Sequence, residues 1–148
     1  MNFRWIEAIK WIDFVNGGDL KSFVKDAFAS NSGRILTDPA KIVAENPNLF
    51  THESSHAKVW EDVGIRVVYL KSLNGAYGIA PDLTSLNMWL DKNKWDRIKF
   101  IELLKKVISA PGEDMSPSDE CQVKILEGKI MNNNQFTAFR LSCSLIPD

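Results

Sequence analysis

The run from Ile65 to Leu73, IRVVYLKSL, constrains this chain more than any other stretch. Side chains alternate across a strand, so Ile65, Val67 and Tyr69 share one face and Val68 and Leu70 the other. A strand apolar on both faces must be covered on both, which places it inside a sheet rather than at an edge. Asn74-Gly75 follows, the favoured two-residue hairpin turn, so the chain is expected to return antiparallel through Ala76 to Ala80. That register sets Leu70 opposite Ile79 and Ser72 opposite Tyr77. Gly64, just ahead of the strand, is a helix stop, so a helix should run into it.

That helix contains both histidines of the chain, in the sequence His52-Glu53-Ser54-Ser55-His56. At about 100° per residue, Val63, His56, Leu49 and Trp60 fall within about 80° of His52. The stripe Leu49, His52, His56, Trp60 and Val63 is therefore the face predicted to be buried against the sheet. Two histidines four apart on a helix bring their imidazoles side by side, where both can bind one Zn²⁺. A glutamate beside the first can then take a proton from a metal-bound water. In these five residues the chain resembles zincin metallopeptidases, whose motif is H-E-x-x-H. The resemblance implies zinc as cofactor, His52 and His56 as metal ligands, and Glu53 as general base. Ala57 fits the residue after such a motif, whereas Lys58 departs from the apolar residue usual next. A third ligand is not evident from spacing: Glu61 lies on the wrong side of the helix, leaving Asp82 and Glu102 as candidates from elsewhere in the fold.

In chain order, Phe3 to Val15 has a helical apolar pattern and ends at Asn16-Gly17-Gly18. Asp19 is placed to cap a second helix, Leu20 to Ala29, with Leu20, Phe23, Val24 and Ala27 inward. Asp38-Pro39 opens a short helix closed by Asn46-Pro47. Leu83 to Leu90 fits a helix or an irregular crossing. Asp96 to Ser109 is a strong helix burying Phe100, Ile101, Leu104, Val107 and Ile108. Residues 111–120, PGEDMSPSDE, read as a flexible surface loop. Cys121 to Met131 and Gln135 to Ile146 read as a second hairpin, with Cys121, Val123 and Ile125 on its core face. The expected fold is thus α+β in a single domain, 1–148. N-terminal helices precede a small, mostly antiparallel sheet built from two hairpins, with one strong helix between them.

A hydrophobic content of 45% and a charged content of 25% are those of a globular chain. A net charge of −1 provides no global field to draw it onto nucleic acid or an anionic membrane. No apolar run approaches the ~18 residues of a membrane span, and Glu7, Lys10 and Asp13 interrupt any signal-peptide core. Cys121 and Cys143 are read as reduced thiols, with a cytoplasmic location.

Five tryptophans in a chain this small point to partner contact, with Trp11, Trp89 and Trp95 as candidate contact residues. The leading functional expectation is a binding module of the inhibitor, immunity or adaptor type, acting through a protein partner. The alternative is a zinc-dependent hydrolase at His52, Glu53 and His56. A third is a PD-(D/E)xK-like nuclease using Asp82, Glu127 and Lys129. Lys92, Lys94, Arg97, Lys99, Lys105 and Lys106, with Trp95 among them, would contact nucleic acid only if they shared a face; helical spacing scatters them instead.

Overall fold

The structure, a computed structural model, describes residues 13–28, 34–73 and 75–128. Trp11, Lys129, Cys143 and the strand expected over Gln135 to Ile146 lie outside these residues. Residues 13–15 are helical, the end of the predicted first helix. Helix α1, Leu20–Phe28, is capped by Asp19, whose Oδ2 accepts from the Ser22 N–H at 2.9 Å. Strand β1, Arg34–Leu36, leads to α2, Pro39–Glu45, capped by Asp38 with Pro39 in its first turn.

Asn46 then serves two helices. Its N–H closes α2 on the Ile42 carbonyl, and its side chain accepts from the Leu49 N–H to start α3, Pro47–Asp62. Pro47 lies in the first turn of α3, where its missing N–H costs nothing.

Strand β2, Val67–Ser72, pairs antiparallel with β1 on one side and β3, Tyr77–Pro81, on the other. The sheet order β1-β2-β3 makes β2 the central strand, as its two apolar faces require. The register differs from expectation by one residue: Leu70 faces Gly78 and Tyr69 faces Ile79. Ser72 donates to the Ala76 carbonyl at 2.8 Å, and Gly75 donates to Ser72 at 3.0 Å. The connection is therefore a three-residue loop rather than the two-residue turn. Gly75 has φ +90° there, the left-handed conformation such a loop needs.

Helix α4, Leu83–Lys92, is capped by Asp82, and α5, Arg97–Ser109, by Asp96. Leu86, Leu90, Phe100, Leu104, Val107 and Ile108 are fully buried with Phe14, Trp60, Ile65 and Ile79 in one cluster. Each such aliphatic side chain contributes roughly 1.5–3 kcal/mol by leaving water. Ile101, predicted inward, is only partly buried, and Leu103 takes the core position instead. A 3-10 turn at Gly112–Asp114 precedes α6, Pro117–Leu126.

The mixed helix-and-sheet class is as expected, but the C-terminal half of the chain differs from its predicted form. Cys121–Leu126 is helix, not the first arm of a second hairpin, and the stretch predicted as loop already carries the start of α6. The odd-position alternation was misleading because Cys121, Gln122, Ile125 and Leu126 bury a helical stripe just as well. Cys121 is disulfide-bonded, so the reduced-thiol expectation fails there, and with it the redox argument for an intracellular location.

Candidate metal centre

Helix α3 buries Glu53, His56, Ala57 and Trp60. On an ideal helix that face is turned by roughly 50° from the predicted stripe. Val63 is left 41% exposed at the C-cap, and His52 stands at the margin of the core. The rotation follows from packing. Trp60 is the largest fully buried side chain and sits edge-on to Phe28, while small Ala57 lets α3 approach its neighbours closely.

Both imidazoles still converge. Their Nε2 atoms are 3.3 Å apart with the rings nearly perpendicular. Asp119, from the first turn of α6, brings Oδ2 to 3.0 Å from His52 Nε2 and 3.4 Å from His56 Nε2. Among the described residues these three form a group whose ligand atoms lie within 4.8 Å of one another, as one metal ion would require. His56 and Asp119 are completely buried, and the His52 side chain is 17% exposed, so the centre meets solvent only along His52.

His56 Nδ1 lies 2.7 Å from the Val107 carbonyl, which can only accept, so the ring proton is assigned to Nδ1. With that proton alone, Nε2 carries a lone pair that a metal ion could share; with a second proton it would instead donate to Asp119 Oδ2. A proton on His52 Nε2 can satisfy one of the three contacts, not all of them. A cation among the three atoms satisfies all at once. Asp119 Oδ1 is also buried, with no hydrogen-bond partner, a second mark of a carboxylate short of positive charge.

The electrostatics follow the same lines. The hydrogen bond to Asp119 raises the His52 pKa above 6.5; burial opposes it, and the charges of Asp119 and Glu53 add to it. Burial by itself would raise the Asp119 carboxyl. Hydrogen bonds from His52 and His56, with their charges, together outweigh it and hold the group well below the usual carboxylate range. Glu53 is fully buried beside His52, and burial pushes its pKa up, against the pull of His56 and His52. Each group is near enough to feel the others' charge.

The other candidate residues are placed elsewhere. Asp82 caps α4 through the Ser85 N–H and pairs with Arg66 at 3.6 Å. Glu102 lines a separate groove of about 530 Å³, with Val59, Trp89 and Leu103. Neither reaches the histidines. Glu127 ends α6 and is exposed. Trp89 and Trp95 are half-buried and pack on the core. The Trp95 indole donates to Asp91 at 2.7 Å and carries Lys21 over its face, so its stacking surface is in use. Arg97 donates to the Gly18 carbonyl and lies over Phe14, a structural tie for that basic side chain.

Asp119 was missed by sequence reasoning, although Ser116-Pro117-Ser118-Asp119 ahead of apolar residues is a capping-box signature that could have found the helix bearing it. No family model matches the chain, and no curated protein or solved structure matches it either.

Proposed function

We propose that this protein is a zinc-dependent hydrolase with its metal held by His52, His56 and Asp119. The observation that carries the reading is the convergence of three donor atoms with mutual distances of 3.0–3.4 Å. Bond lengths of about 2.0–2.1 Å at tetrahedral angles give donor separations of about 3.3–3.4 Å, close to this triangle. An octahedral ion with three further open positions suits the site less well, because two of the three ligands are fully buried. A zinc ion held by His52, His56 and Asp119 would supply a Lewis acid able to polarise a carbonyl and to acidify a bound water.

The protein residues divide the remaining work. The Val107 carbonyl holds His56 in the tautomer that leaves Nε2 as donor. Glu53, with its raised pKa, accepts the proton of the attacking water and returns it to the leaving group. His52, the partly exposed ligand, marks the side on which substrate enters.

Metal analysis of protein purified without chelator or histidine tag tests the reading. About one zinc per chain is expected, lost in Asp119→Ala, together with cleavage of an unstructured polypeptide or a small ester. Protein that retains no zinc after equilibration with it rules the reading out.

A second reading, a binding module acting through a protein partner, is favoured by exposed apolar side chains on the edge strand β1 and just past the end of β2. Ile35, Leu36 and Leu73 are 62%, 70% and 89% exposed. A captured partner released by Leu36→Lys, with zinc content unchanged, would support it.

A further inference from the structure

Asp119 has a second task besides facing the histidines. It is the third residue of α6 and forms a reciprocal capping box with Ser116. Ser116 Oγ accepts from the Asp119 N–H at 3.1 Å, and Asp119 Oδ2 accepts from the Ser116 N–H at 3.3 Å. The oxygen that closes the box is the same Oδ2 that approaches both imidazoles. A capping acid ordinarily turns back over the helix end at the surface. Here it is 0% exposed and pinned against another helix.

We propose that Ser116 is a positioning residue of the metal centre, so that zinc occupancy and the folding of the first turn of α6 are one coupled event. The proposal rests on the zinc reading above. The Ser116 hydroxyl fixes the Asp119 backbone, and the Ser116 N–H orients the carboxylate and leaves its lone pairs aimed at the histidines. Farther along the helix, Cys121, Gln122, Ile125 and Leu126 are buried and anchor α6 by themselves. The first turn is held by the Ser116–Asp119 capping box and by the contacts of Asp119 with the two histidines. When Oδ2 is not engaged, this turn is free to fray, and when it frays the third ligand leaves. Such partners of a metal ligand typically matter 10- to 100-fold in affinity, roughly. By reciprocity, zinc strengthens the capping box by the same factor that the box strengthens zinc.

The test measures the zinc dissociation constant by chelator competition in the full chain. Ser116→Ala is expected to weaken zinc about tenfold or more, and Ser116→Thr to restore it. Ser116→Gly, a tolerated helix cap, keeps the protein folded while removing the hydroxyl, and should weaken zinc as Ser116→Ala does. Asp38→Ala removes a comparable cap, from α2, and should leave zinc affinity unchanged. Hydrogen exchange at the Asp119 and Glu120 amides should slow when zinc is added to wild type, and should slow less in Ser116→Gly. Wild-type zinc affinity in Ser116→Ala and Ser116→Gly, or an equal loss in Asp38→Ala, overturns the coupling while leaving the metal centre standing. Failure of wild-type protein to bind zinc removes the centre itself, and the coupling with it.

Discussion

His52 Nε2 and Asp119 Oδ2 lie 3.0 Å apart, joining the middle of α3 to the first turn of α6. The Oδ2 that makes this contact is also the one that closes the Ser116–Asp119 capping box of α6. The contact brings a carboxylate to a pair of imidazoles that already face one another.

If those three groups hold the metal, Asp119→Asn is the most informative single change. It keeps the size of the side chain and removes its charge. Zinc affinity should fall by more than the ~10- to 100-fold typical of losing a ligand's hydrogen-bonding partner. Isothermal titration with zinc measures this directly; an affinity within twofold of wild type would falsify the ligand assignment.

Glu53→Gln separates binding from chemistry. The amide cannot take a proton, but both imidazoles and Asp119 remain. Zinc content should stay at the wild-type level while hydrolysis falls roughly 10²- to 10⁴-fold. Loss of metal together with activity would mean that Glu53 supports the centre rather than acting on substrate.

The pH dependence has opposite signs with and without metal. His52 has a raised folded pKa, so without metal its bond to Asp119 stabilises fully below pH 6.5 and is lost as pH rises through that raised value. Asp119 has a lowered folded pKa, so its contribution is present above about 3.8 and is lost as pH falls through the lowered value. Metal-free protein should therefore gain from this pair chiefly between about pH 4 and 6.5. Zinc requires His52 without its proton, so the rise in Tm on adding zinc should be small near pH 6 and grow towards pH 8. Thermal scans of both forms across that range check the divergence. Parallel curves would count against His52 as a ligand.

The double use of Asn46 predicts a stability loss out of proportion to its exposure. Asn46→Ala removes the cap that accepts the Leu49 N–H at 3.1 Å. The expected cost is about 0.5–2 kcal/mol. For a chain of this size that corresponds to a drop in Tm of about 2–4 °C per kcal/mol. Unchanged stability would mean that Pro47 alone sets the start of α3.

How much of this was legible in the sequence depended on whether the signal was local. The caps at Asp19, Asp38, Asp82 and Asp96 join residues at most three apart, and the first two were read directly from cap and helix patterns. The central place of Val67–Ser72 followed from apolarity on both faces, a property of the strand itself. The paired histidines were legible for the same reason, because helical spacing fixes which side chains are neighbours. Register was not. One extra loop residue moved Leu70 from Ile79 to Gly78, a choice made by closure of the loop at Gly75 rather than by any single strand.

Tertiary structure also decided which face of α3 is buried. Trp60 and Ala57 rotated that face past the predicted stripe and brought Glu53 fully inside. The same is true of Cys121–Leu126, whose alternating apolar residues serve a strand or a helix equally until packing chooses. The third member of the centre lay beyond sequence reasoning altogether. Asp119 meets His52 only because α5 and α6 fold back across α3, and no spacing rule links residues brought together by the path of the chain.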